Sequence, residues 1–398
     1  MNISSLDLSE TSIQFLHNQG FKTLYPPQAD CIKTGLLEDN NLIVSTPTAS
    51  GKTLVAIISA LQHIENEGKI IYLAPLRALA SEKYNDFKKL ESLSKPNGSS
   101  IKVSISTGDF ESNSEYLKSS DIIILTNEKF DSLQRHGIKW LSQVSLIVID
   151  EIHLIGDSYR GPTLEMIIAK MLISDHSPQI LGLSATINNI EEISDWIGAK
   201  SVISTWRPVD LSEGVFCFGQ IDFKDGNPPV NIENSGEGTA IDVAIDMVKQ
   251  NGQCIIFTET RKRASSLAKK IEKMMPLLLT QEQSDELSDL STLLKKSDTS
   301  NDMNELLVKL LKHGVAFHHA GVSNQQRQVI ETGFRERKIK IICATPTLAA
   351  GVNLPARRVV LSSYLRYDMK YGGMSPISVL DYKQMCGRAG RPQYDDKG

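Results

Sequence analysis

Short apolar runs, bounded by polar, Gly or Pro positions, recur along the chain and alternate with longer stretches whose apolar residues return every three or four positions. In the first half the runs are "NLIV", "KIIYLA", "IKVSIS", "DIIILT", "SLIVID" and "ILGLSA"; in the second they are "GVFCFG", "QCIIFT", "GVAFHH", "IKIICAT" and "RRVVLSS". Near-continuous Val, Ile and Leu runs predict strands covered on both faces, as in parallel sheets. The segments between them, such as "LVAIISALQHI", have the apolar spacing of amphipathic helices. The pattern predicts an α/β protein in which each half is one parallel sheet with flanking helices. Between the two sets lies "WRPVDLSEGVFCFGQIDFKDGNPPVNIENSGEG", rich in Pro, Gly, Asn and Asp and without helical period, so a boundary is expected near residue 206. The expected domains are 1–205 and 206–398. Residues 276 to 312 are polar and helix-prone with a loose centre at "SDTSND", and read as a helical insertion, not a sheet element.

Composition narrows the class only modestly. A chain of 398 residues is too long for one ordinary core, and 40% hydrophobic with 23% charged residues is ordinary for a globular protein. No apolar run approaches a membrane span, and "MNISSLDLSE" lacks the basic start and apolar centre of a signal peptide, so a cytoplasmic protein without membrane contact is expected. Cys31, Cys217, Cys254, Cys343 and Cys386 include no C-x-x-C pair, which argues against zinc or a disulfide framework. A net charge of −4 supplies no global attraction for nucleic acid, so any such binding must come from a local surface.

Candidate chemistry begins at "STPTASGKTL", residues 45 to 54. A strand running into a turn, followed by Gly51, Lys52 and Thr53 at the start of a helix, is the arrangement that presents backbone N–H groups to phosphates. The strict G-x-x-x-x-G-K-[ST] pattern fails at its first position, where Thr46 stands. The second piece is "LIVIDEIHLIG", a buried run delivering Asp150 and Glu151 at a strand's C-terminal end, where α/β sheets bind ligands. Asp150 suits a Mg²⁺ ligand and Glu151 the group that orients and deprotonates an attacking water. The third piece is "GLSAT", with Ser184, Ala185 and Thr186 after another apolar run.

With these three pieces the chain resembles a superfamily 2 helicase, and the likeness extends over nearly the whole sequence. "LYPPQ", "APLRALA", "STGD", "TNEKFDSL", "IIFTETR", "AFHHAG", "ATPTLAAGVNLPAR" and "QMCGRAGRP" resemble its remaining motifs. "DEIH" and "ATPTLAAGVNLP" point to the superkiller-type branch. "YPPQ", "TPTASGKT", "RGPTLE", "WRPVDLSEGV" and "DYKQMCGRAGRP" are similar to the archaeal Hjm-type DNA repair helicases. The resemblance implies two tandem RecA-like domains of the P-loop type, with ATP and Mg²⁺ in the cleft and a single strand across the top of both. It implies 3′ to 5′ unwinding of forked DNA by a monomeric motor, alongside repair or replication proteins. That family continues into a winged helix and a helical ratchet domain, whereas this sequence stops seven residues after Arg391, so a motor fragment with a truncated second sheet is expected.

Carried onto this chain, the resemblance implies that Gln28 senses adenine. Thr46, Thr48, Ala49, Ser50, Gly51, Lys52 and Thr53 would hold the phosphates, Thr53 together with Asp150 would hold Mg²⁺, and Gly351 and Asn353 would complete the nucleotide site. Arg388 and Arg391 are the candidate arginine fingers, and Gln384 would hold the nucleotide or its water. His153 would couple the carboxylates to Ser184, Ala185 and Thr186. The nucleic-acid track would use Pro75, Arg77, Thr107, Gly108 and Thr126 in the first domain, and Thr258, Arg261, His319, Gly321, Thr345 and Thr347 in the second. His318 and His319 are adjacent and lack a further ligand in register, so no metal is expected there. Two rival readings stay open: an RNA helicase of the same branch, and a nucleotide-gated clamp that binds a strand without unwinding. A further expectation is a strand-separating β-hairpin with its tip near Tyr371-Gly372-Gly373, adjacent glycines permitting the positive φ of a tight turn.

Overall fold

The computed structural model describes the chain except residues 109–113, 175, 188, 296–301, 349–353, 369–371, 392–394 and 396. It divides into two compact units, Met1–Pro208 and Val209–Gly398. Both are RecA-like α/β domains built on a parallel sheet.

The sheet of the first unit contains β1 (Leu42–Ser45), β2 (Lys69–Ala74), β3 (Val103–Ser106), β4 (Ile122–Thr126), β5 (Val144–Ile149), β6 (Gln179–Ser184) and β7 (Lys200–Ile203). Their order is β3-β4-β2-β5-β6-β1-β7, and every pairing is parallel. Successive side chains point to opposite faces, so the buried runs feed two cores at once. Leu42, Val44, Ile70 and Tyr72 pack with the helices Lys52–Glu65 and Arg77–Lys88 on one face. Ile43, Ile71 and Leu73 pack on the other with Asn127–Arg135, Gly161–Leu172 and Ile190–Ile197. The sequence pattern does not announce β7, because Val202 is its only buried residue. A half-exposed edge strand has no continuous apolar run to betray it.

The second unit departs further from the expectation of one parallel sheet. "GVFCFG" does not join the main sheet: β8 (Gly214–Cys217), β9 (Gln220–Phe223) and β10 (Val230–Asn231) form a separate antiparallel sheet within the stretch read as an irregular boundary. The parallel sheet proper has the order β12-β13-β11-β14, with β11 (Cys254–Phe257), β12 (Val315–His318), β13 (Ile341–Ala344) and β14 (Arg358–Leu361). The insertion is helical, as Gln281–Lys295 and Asp302–Leu311, but it is no appendage. Leu287, Leu294, Leu307, Leu310 and Leu311 are fully buried in the unit's main core. The hairpin exists as β15 (Leu365–Asp368) and β16 (Gly373–Pro376), with Gly372 at φ 62° in the turn and Gly373 already in the strand. Tyr371 lies outside the described residues. Among the described residues no helix is long and apolar enough to cross a membrane.

Candidate functional site

Strand order explains why three distant motifs become neighbours. Ser45 at the end of β1 is in register with Ser184 at the end of β6, and Ile149 of β5 with Gly182 of β6. Strands about 4.8 Å apart therefore bring the phosphate loop, Ser184-Ala185-Thr186 and Asp150-Glu151 together at one C-terminal edge.

In the phosphate loop, Ala49 and Gly51 have φ of 67° and 86°, and Gly51 opens the helix Lys52–Glu65. A Cβ on Gly51 would stand 2.1 Å from Nε2 of Gln28 and push that amide aside, while the positive φ is what favours glycine here. The Thr46 and Ser50 hydroxyls lie 2.7 Å apart and close the loop around half-buried Thr48. The Lys52 ammonium donates to the carbonyls of Thr46 (2.8 Å) and Pro47 (3.1 Å), lying across its own loop. Gln28 is buried; its Oε1 accepts from the Tyr25 N–H at 2.8 Å and its Nε2 donates to the Gly51 carbonyl at 3.1 Å. Here its amide braces the phosphate loop and keeps a second N–H and a second lone pair for any further partner.

The carboxylates are held differently from each other. Asp150 is buried: Tyr72 donates its hydroxyl to Oδ2 at 2.6 Å, and the Glu151 N–H donates to Oδ1 at 3.0 Å. Burial and the Glu151 charge push its pKa up, while Lys83, Tyr72 and Lys52 oppose that rise. The buried Tyr72 hydroxyl is itself pushed well above its ordinary range, so it remains a donor. Glu151 adopts φ 52°, a left-handed conformation costing a non-glycine residue roughly 1 kcal/mol or more. Its Oε2 is buried without a hydrogen-bond partner among the described residues. A strained backbone and an unsatisfied carboxylate oxygen on one residue suit a group kept ready for a ligand.

His153 sits between the motifs. Its Nδ1 accepts from the Ala185 N–H at 3.3 Å, lies 3.3 Å from the Ser184 hydroxyl and 3.4 Å from Oε2 of Glu151. Burial and the Lys52 charge pull its pKa down to about 4, so the ring is neutral near pH 7 with its proton on Nε2. The Thr186 hydroxyl oxygen is buried without a partner among the described residues. The left-handed turn at Ala49 and Gly51 before a helix start, the ready Glu151 oxygen and the oxygens of Thr53 and Asp150 fit a nucleoside triphosphate with its cation.

The other half of the same edge belongs to β2, β4 and β3. Pro75, Arg77, Thr107, Gly108 and Thr126 follow or end these strands, and all five line one cavity of about 480 Å³. Sequence reasoning missed other residues lining it, among them Lys129, Ser132, Arg135, Arg160 and Thr163. Lys129, Ser132 and Arg135 recur every third position of "TNEKFDSLQR", and Arg160 opens "RGPTLE", so helical spacing would have found them. Asp131 in the wall is paired with Arg135 at 2.7 Å and Lys170 at 2.9 Å, which offsets its charge against a polyanion.

In the second unit, Thr258, His319 and Thr345 directly follow β11, β12 and β13, whose last residues are in register. His319 accepts from the Gly321 N–H at 3.1 Å, and a Cβ on Gly321 would lie 3.8 Å from the Arg261 guanidinium. The Thr345 and Thr347 hydroxyls are 2.9 Å apart. Gln384 lies in the helix Val379–Cys386, and the Arg388 carbonyl accepts from the Ala356 N–H at 2.8 Å. Arg391 is held inside its own unit: its guanidinium donates to both oxygens of Asp395 at 2.8 Å and to Oε1 of Gln253 at 2.6 Å. Gly351 and Asn353 lie outside the described residues.

Phosphate-loop chemistry on one parallel sheet, followed in the same chain by a second such sheet, narrows the class to tandem RecA-like motors. The DEAD/DEAH box helicase family matches residues 25–193, and the helicase conserved C-terminal domain matches residues 269–393. Over its whole length the chain is similar to proteins named ATP-dependent DNA helicase Hel308. Identity is 46% to that of Methanocella arvoryzae, 43% to that of Pyrococcus horikoshii and 45% to that of Pyrococcus abyssi. The chain spans about half the length of these relatives, 53% of each. The chain thus carries both motor modules of superfamily 2 helicases, and its likeness along its whole length is to the Hjm-type, or Hel308, proteins.

Proposed function

We propose that this chain is an ATP- and Mg²⁺-driven motor that moves 3′ to 5′ along single-stranded DNA and opens forked duplexes. The observation that carries this reading is the division of one sheet edge between a phosphate-and-carboxylate half and a groove lined by Arg77, Lys129 and Arg160. Residues 1–205 would form the ATP-binding motor domain and 206–398 the second. Bound MgATP supplies the phosphoanhydride bond whose hydrolysis drives the cycle. Lys52 neutralises the β and γ phosphates, Thr53 and Asp150 hold the cation, and Glu151 orients and deprotonates the attacking water. His153 transmits the state of Glu151 to Ser184-Ala185-Thr186. Gln384, Arg388 and Arg391 act on the γ-phosphate, Arg391 after release from Asp395. Backbone phosphates of the strand are held by the groove in the first unit and by Thr258, Arg261, His319, Thr345 and Thr347 in the second.

The hairpin β15–β16 is the strand-separating wedge, its exposed Tyr367 and Met374 facing each other across the pair. The motor acts as a monomer in the cytoplasm, with repair or replication proteins as partners. The test compares displacement from forked DNA and from matched RNA, together with ATPase stimulation by each single strand. DNA-stimulated ATPase with fork opening is expected. Stimulation by RNA alone would establish the RNA reading, and strand binding without displacement the clamp.

A further inference from the structure

Lys83 is absent from the motif assignments, yet it is a buried cation on the helix that leads from the groove half of the sheet edge to the phosphate-loop half. It lies in the helix Arg77–Lys88, whose first residue lines the nucleic-acid groove. Six residues on, roughly 9 Å along the axis at 1.5 Å per residue, the Lys83 ammonium donates to the Thr53 hydroxyl at 2.9 Å. Its side chain is 9% exposed, lies 3.5 Å from Glu82 and 3.9 Å from Asp86, and interacts electrostatically with Asp150. Its ammonium is therefore bonded to Thr53 and acts electrostatically on Asp150, the two residues that would hold Mg²⁺. A second contact runs from the same helix: Phe87 packs edge-on against Tyr72, ring centroids 5.3 Å apart, and Tyr72 donates to Asp150. Leu79, Ala80 and Phe87 are buried in the core, so the helix transmits displacement as a unit.

We propose that Lys83 is a positioning residue that stands in for the metal cation when no nucleotide is bound, and so couples strand binding to nucleotide binding. This rests on the reading of Thr53 and Asp150 as the Mg²⁺ site. A divalent cation arriving with nucleotide competes with the ammonium for the same hydroxyl and carboxylate. Its entry displaces Lys83, and the displaced helix carries Arg77 and the start of the groove with it. A strand that favours one helix position must favour the same nucleotide state, because coupling between two binding sites is reciprocal.

The experiment measures binding, not turnover. Affinity for fluorescent ADP is titrated with and without Mg²⁺, and with and without saturating oligo-dT; strand affinity is measured by anisotropy in the reverse order. Wild-type protein is expected to show a strand-dependent change in Mg²⁺–ADP affinity of about fivefold or more, within the usual range of coupling. Lys83→Met should bind both ligands with the coupling factor reduced toward one, and should reach half-saturation at lower Mg²⁺. Lys83→Arg should restore much of the coupling. Lys83→Gln keeps a polar group near Thr53 without the charge and carries the test if Lys83→Met does not fold. Unchanged coupling in both neutral variants, or its absence in wild type that binds both ligands, overturns the proposal. Wild-type protein that binds no Mg²⁺–nucleotide overturns the ATP-site reading instead.

Discussion

The two units use one device, a parallel sheet whose C-terminal edge gathers residues from distant parts of the chain, but they hold those residues differently. In the first unit the polar and charged groups are cross-braced: Lys52 on Thr46 and Pro47, Tyr72 on Asp150, Lys83 on Thr53, and neutral His153 on the Ala185 N–H. In the second unit the edge presents threonines, His319 and exposed Arg261, while Arg391 is occupied by Asp395 and Gln253. On the proposed function, the first unit would carry a preorganised reaction site, and Gln384, Arg388 and Arg391 of the second would tune its rate. Changes in the first should abolish chemistry or binding; changes in the second should alter rate and leave nucleotide affinity intact.

The largest effect tests the first half of that contrast. Lys52→Ala is expected to reduce strand-stimulated phosphate release to background, and Glu151→Gln to stop turnover while still binding ATP. Normal turnover by either variant would break the site assignment. Next, Arg388→Ala should slow hydrolysis by about 10³ or more, as loss of an arginine finger does, with nucleotide affinity nearly unchanged in a fluorescence titration. A loss of affinity at unchanged turnover would make Arg388 a binding residue.

A smaller effect concerns the packing of the second unit. Leu287→Ala should destabilise it by about 2–5 kcal/mol in denaturant unfolding, since Leu287 is fully buried in the core. A change near zero would mean the helices Gln281–Lys295 and Asp302–Leu311 are peripheral after all. The smallest concerns pH. The pKa of His153 falls from the ordinary 6.5 to about 4 in the folded chain, so the unfolded chain takes up its proton first. The stabilising contribution is complete above pH 6.5 and is lost as pH falls toward 4, up to about 3 kcal/mol. His153→Gln should show a correspondingly shallower loss of stability between pH 7 and 4.5, and parallel curves would place His153 outside that linkage.

Much of the architecture was legible because buried parallel strands write themselves as apolar runs. "KIIYLA" and "DIIILT" are β2 and β4 residue for residue or nearly so. β7 was not, with one buried residue in four, and β8 was legible as a strand but not as a member of a separate antiparallel sheet, since a short run carries no record of its partner. The same limit hid Leu287 and its neighbours, whose helical spacing is plain but whose burial depends on what they meet.

What the sequence by itself determined is the kind of chemistry: Gly51-Lys52-Thr53 before a helix, Asp150-Glu151 after a buried run, and the class of tandem motor that these imply. Local composition suffices there because a phosphate loop and a strand-end carboxylate pair are short-range structures. Tertiary structure alone decided which groups meet. Strand order set Ser45 beside Ser184 and Ala74 beside Thr126, placing the phosphate loop and the groove on one edge. It also brought Lys83 onto Thr53, thirty positions away. No local signal marks such a contact, because it depends on the order in which strands pair, and strand order is a property of the whole folded domain.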